Sequence, residues 1–114
     1  MAASPLTDQL TATINALRGG LTAIPISAAM DTTEAWQQHF LQSGVPDQQD
    51  IAREIGNLQT LLSAETLDGA AIGRSLSMLG SQTLQLAQGS EGDVQSNLRT
   101  LGDLLLRIGS DLDK

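Results

Sequence analysis

The chain has no cysteine and no tyrosine, one tryptophan, one phenylalanine and one lysine. Without cysteine there is no disulfide, no thiolate nucleophile and no Cys-based metal site, a pattern that suits a reducing compartment and points to a cytoplasmic protein. With aromatics at 2% of residues, the core has to be aliphatic, built mainly from Leu and Ile. Basic residues are as sparse: Arg18, Arg53, Arg74, Arg99, Arg107 and Lys114 are spread singly against thirteen carboxylates, for a net charge of −7. No basic patch exists to neutralise phosphates, so nucleic acid is not expected as a partner. An anionic membrane surface is disfavoured for the same reason. The longest apolar run, Leu21 to Met30, is about ten residues and holds Pro25, far short of the ~20 residues that span a bilayer. Residues Met1 to Asp8 carry no Lys or Arg and do not read as a secretory signal.

What is present is helical punctuation. Leu6, Leu10, Ile14, Leu17 and Leu21 recur every three or four residues, which predicts a first helix starting at Ser4 and Pro5 and weakened at Gly19-Gly20. Residues 21–30 then read as an apolar linker, because Pro25 forces Ile24 into an extended conformation. A second helix is expected from Asp31, with Glu34 completing a capping box. Trp36 and Phe40 share its apolar face, and Gly44-Val45-Pro46 stops it. A third helix is expected from about Asp47 to Ala64, and a fourth after the Asp68 cap, with Leu67 and Ile72 as a hydrophobic staple. A fifth comes after a Ser90 cap. Its Val94, Leu98, Leu101, Leu105, Ile108 and Leu112 form the cleanest heptad in the chain. Leu101 and Leu105, at its centre, are expected to be fully buried.

No stretch alternates as a strand does. The pattern implies an all-α protein: one helical domain, residues 1–114, folded as a small antiparallel bundle of four to five helices. Residues 45–114 form its three-helix core and residues 1–44 two short covering helices. So thin an aliphatic core predicts a homo-oligomer, most simply a two-fold dimer.

The last two helices carry a weak internal repeat. Ile72-Gly73, Leu76 and Leu79-Gly80-Ser81 match Leu101-Gly102, Leu105 and Ile108-Gly109-Ser110. A glycine inside a helix costs about 1 kcal/mol against alanine, so four of them beside the apolar seam call for an offset. Two readings supply it. Gly73, Gly80, Gly102 and Gly109 either let these two helices approach closely or form a docking seam for a second copy or a partner helix.

Chemistry-bearing residues do not converge. His39 is the only histidine, with no second ligand at metal-binding spacing and no marked nucleophile. The carboxylates concentrate at expected helix starts, where capping and the helix dipole use them. The sequence predicts no enzyme, no metal and no cofactor. In size and composition the chain resembles the WXG100 secreted helical hairpins, but Trp36 is followed by Gln37-Gln38 and the Trp-x-Gly turn is absent. The function expected is a non-enzymatic protein–protein interaction module: a scaffold, adaptor or regulator. The alternative is an acidic decoy occupying a basic site on a partner. Candidate interaction residues are Trp36 and Phe40, Ile24 and Ile26 of the linker, and the four seam glycines.

Overall fold

The computed structural model describes residues 5–19 and 24–112. They form five helices: α1 (Pro5–Arg18), α2 (Ile26–Leu41), α3 (Pro46–Leu62), α4 (Gly69–Gln88) and α5 (Gly92–Leu112). No strand occurs among the described residues, and the fold is a small all-α bundle. Ser4 and Leu21 lie outside the described residues.

Local chemistry explains most boundaries. Pro46 sits in the first turn of α3, where its missing N–H leaves nothing unpaired, and Asp47 beside it suits the helix dipole. Gly44 takes φ +72°, the left-handed conformation that lets the chain reverse between α2 and α3. Asp68 caps α4, its side chain accepting a hydrogen bond from the Ala71 amide at 3.1 Å.

Five expectations are corrected. The apolar segment is not a linker throughout. Ile26 to Met30 are the first turns of α2, which starts after Pro25, five residues before Asp31. Proline fits just ahead of a helix, and Ser-Ala-Ala-Met propagates one readily. Asp31 and Glu34 are therefore interior helical positions and form no capping box. Ser90 does not cap α5 either; its hydroxyl donates back to the Leu86 carbonyl at 3.0 Å, finishing α4. The expected staple residue Leu67 stays 46% exposed, although Ile72 is buried. In the α5 heptad Leu98 and Leu101 are buried, whereas Leu105 is only half-buried.

The helices form a ring. α2 packs on α3, α3 on α4 and α4 on α5, and α1 returns against α5. The α1 and α2 backbones pack far less closely. They are joined by one long side chain, Trp36, whose Nε1 donates to Thr13 Oγ1 at 2.9 Å. Buried aliphatic residues from all five helices face inward, including Leu10, Ile14, Ile55, Leu58, Leu76, Leu79 and Leu101.

The tightest contact in the ring is between α4 and α5. These helices run antiparallel, so Gly80 meets Gly102, and Gly109 meets the Gly73 carbonyl. A Cβ on Gly80 would stand 2.9 Å from the Gly102 oxygen, and one on Gly109 would stand 2.6 Å from the Gly73 oxygen. The internal repeat thus has a geometric consequence. Two helices with glycines seven residues apart, placed antiparallel, bring both pairs into register at once. The backbone proximity that the glycines permit is taken up within this chain.

Candidate functional site

Down the middle of the ring runs a cavity of about 440 Å³ with contributions from all five helices. Its floor is set by Phe40, Ile51, Thr83 and Leu98. At the other end of the bundle, where α2 and α4 begin and α3 and α5 finish, it reaches Ile24, Ile26, Leu67 and Leu112. Ile26 is 47% exposed and Leu67 46% exposed, so this end is an apolar mouth facing water.

The wall is aliphatic apart from Trp36, Phe40 and a few threonines. Those threonines are mostly satisfied already. Thr13 donates to the Gln9 carbonyl and accepts from Trp36; Thr33 donates to the Met30 carbonyl and accepts from Gln59; Thr83 donates to the Leu79 carbonyl. The interior therefore offers a guest apolar contact and little hydrogen bonding. Thr32, exposed in the first half of α2, also lines the space, and Asp68, the cap of α4, lies between the mouth residues Leu67 and Gly69.

The space is open to solvent at its mouth, and its apolar wall offers water few hydrogen-bonding partners. An apolar guest replaces the missing dispersion contacts, which water does poorly in a chamber without polar partners.

The candidate residues fall into two groups. Ile24 and Ile26 rim the mouth, while Trp36 and Phe40 line the interior. The aromatic pair is 6% exposed at each ring, stacked with centroids 5.6 Å apart. It anchors α2 to the bundle and forms part of the wall. Gly73, Gly80, Gly102 and Gly109 do not join them; they are buried in the α4–α5 contact. His39 packs edge-on against both aromatic rings, at 5.9 Å from Trp36 and 5.3 Å from Phe40. Among the described residues, no group of three or more His, Asp or Glu is placed to hold a metal ion. None of the described helices is long and apolar enough to cross a membrane.

Other surface chemistry is dispersed. Leu17 separates the cavity from a polar cleft between α1 and α5, where Arg18, Asp103 and Arg107 gather. The Glu54 carboxylate is engaged by Ser75 and Asn57, and Asp50 pairs with Arg53 across one helical turn at 3.4 Å.

Sequence reasoning missed the cavity, yet a signal for it was present. Five helices in a ring enclose more space than three or four, and large side chains are needed to fill it. This chain supplies two aromatics and places Ala29, Thr33, Gly69 and Thr83 along the inner wall. No protein-family model, curated protein or solved structure matches the chain.

Proposed function

We propose that the chain is a non-enzymatic binding module whose partner enters at the apolar mouth formed by Ile24, Ile26 and Leu67. The observation that carries this reading is the continuity between an exposed apolar rim and an apolar interior of about 440 Å³. Exposed apolar residues are ordinary when scattered. Here two of them open onto an apolar chamber in which a partner's apolar surface would leave water. A scaffold, adaptor or regulator would use the mouth by receiving apolar side chains of another protein, which bury surface without reacting. The acidic-decoy alternative has the net charge of −7 behind it. Several carboxylates, however, are committed inside the chain: Asp68 to a cap, Glu54 to Ser75, Asp50 to Arg53.

Trp36 is the only tryptophan, there is no tyrosine, and its ring lines the cavity. Intrinsic fluorescence therefore reports on the chamber alone. A neutral apolar dye that accepts energy from tryptophan is expected to quench Trp36 at one dye per chain. Ile26→Asp and Leu67→Asp at the rim are expected to weaken it, and 1 M salt to leave it unchanged, because apolar burial is not screened. Binding that collapses in salt and ignores both rim variants would instead favour the acidic surface.

A further inference from the structure

We infer that the mouth is covered by a second copy of this chain, two bundles meeting end to end about a two-fold axis. This rests on the reading of the mouth as the binding site and adds what covers it.

A two-fold contact needs one surface that fits itself. The mouth end supplies both halves of such a fit. Ile26 and Leu67 stand out into water at 47% and 46% exposure, and beside them opens the apolar hollow. Mouth against mouth, the protruding side chains of each copy enter the other's hollow. Ile24 and Leu112, half-buried in the single chain, leave water as well. The bundle is 29 × 24 Å across its shorter axes, so each end offers on the order of 500 Å², and two ends together reach about 1,000 Å², the lower limit of a specific interface.

Leu41 and Val45 form a comparable pair at the other end of the bundle, 51% and 43% exposed, so apolar exposure alone does not choose between the ends. Neither of them lines the cavity, and charge separates the ends further. The eight residues of each helix nearest the mouth, with the α3–α4 connection, hold three arginines (Arg18, Arg74, Arg107) against four carboxylates (Asp31, Glu65, Asp68, Asp111), a net charge of −1. The same count at the opposite end sets Arg53 and Arg99 against six carboxylates, among them Asp47, Asp50, Glu91 and Asp93, a net charge of −4. Like charges brought face to face oppose association. In a chain of net charge −7, the mouth is the end at which two identical copies meet with little repulsion.

The test is light scattering of the full chain over a dilution series, with the neutral apolar dye as a second readout. The parent is expected at twice the chain mass, falling to the monomer on dilution. Ile26 opens α2 and Leu67 precedes the cap of α4, positions at which a carboxylate suits the helix dipole. Ile26→Asp and Leu67→Asp are therefore expected to keep the helical circular dichroism. Each is expected to weaken association about tenfold or more, because every substitution enters the interface twice. Ile26→Gln and Leu67→Gln, which add no charge, are expected to act in the same direction and keep the test open if an Asp variant fails to fold. Leu41→Asp at the opposite end, and 1 M salt, are expected to leave the dimer unchanged. In the parent, dye affinity is expected to fall as chain concentration rises, since dye and second copy compete for one mouth.

A monomer mass at all concentrations, a dimer untouched by the rim variants, a dimer lost in Leu41→Asp, or a dye affinity independent of chain concentration would each overturn the second copy. If the dye still binds at the rim in any of those cases, the mouth stands and its partner is a different protein. If neither dye nor second copy engages the rim, the mouth itself is wrong.

Discussion

Gly109→Ala adds one methyl group at the closest approach of two backbones. The new Cβ would stand 2.6 Å from the Gly73 oxygen and 2.8 Å from the Ser77 nitrogen, where ordinary contact begins near 3.4 Å. Those two atoms are main chain and cannot rotate away, while the Ser77 hydroxyl, nearer still, has to turn aside. α5 has to lift from α4 by roughly 0.6–0.8 Å, and a radial gap of about that size forfeits a quarter to a half of each facing dispersion contact. Overpacking of this kind costs about 1–3 kcal/mol. Against it stands the gain of about 1 kcal/mol from replacing a helical glycine. Because the clashing backbone atoms are rigid, the cost is taken from the upper part of that range, about 2–3 kcal/mol, which leaves a net expected loss of about 1–2 kcal/mol. With unfolding entropy near 2.1 cal/mol/K per residue, a chain of 114 residues then melts roughly 4–8 °C lower.

Gly56→Ala supplies the opposite sign. Gly56 is interior to α3, and the only atom a Cβ there would press is the flexible Gln37 Nε2 at 3.1 Å. The side chain gives way at the expense of its 3.3 Å bond to the Ala52 carbonyl, and the propensity gain of up to about 1 kcal/mol remains. Thermal melts by circular dichroism at several protein concentrations check both variants. The Gly109→Ala loss is expected to be independent of concentration, since the contact lies within one chain. A loss that grows on dilution would place it between subunits. A Gly109→Ala protein as stable as the parent would refute the close-packing argument.

The same geometry sets other outcomes. Gly80→Ala and Gly102→Ala are each expected to destabilise, and the double variant by less than their sum, because separating the helices once accommodates both methyls; additive losses would count against a shared crossing. Leu101→Ala is expected to cost about 2–5 kcal/mol and Leu105→Ala, half-buried beside the cavity, clearly less; equal urea-denaturation losses would contradict that ranking. Trp36→Phe is expected to lose about 0.5–1.5 kcal/mol with the bond to Thr13, a loss that Thr13→Val should largely abolish in a double-mutant cycle. The two-fold dimer expected from the aliphatic core predicts twice the chain mass by light scattering, and a monomer mass at all concentrations would exclude it.

The helices were legible because their signals are local. A stripe of Leu and Ile at three- and four-residue spacing, Asp68 ahead of an apolar run, and Gly44 ahead of Val45-Pro46 each act within one turn of chain, so the residues alone report them. The misreadings came where two local signals competed. Pro25 ends any helix on its N-terminal side but opens one on its C-terminal side, and the Asp31–Glu34 pair imitated a cap inside a helix that had already begun. Ser90 had two orphan sites within reach, the last carbonyls of α4 and the first amides of α5, and took the former.

The cavity belongs to a different level. Each lining residue occupies an unremarkable inward position on its own helix: Ile51, Leu79 and Leu101 would appear the same in a solid core. What makes a chamber is the sum over five helices in a ring, with α1 and α2 held apart by the reach of Trp36 to Thr13. Deleting that indole should therefore do more than remove a wall. Trp36→Ala takes away the spacer and the hydrogen bond together, and α2 is expected to settle toward α1. The substitution should then lower stability while shrinking the space for a guest, whereas Trp36→Phe should lower stability and leave the space nearly intact. Binding followed by calorimetry, which does not depend on tryptophan, separates the two. Equal guest affinity in both variants would show that the spacing of α1 and α2 is set elsewhere in the ring.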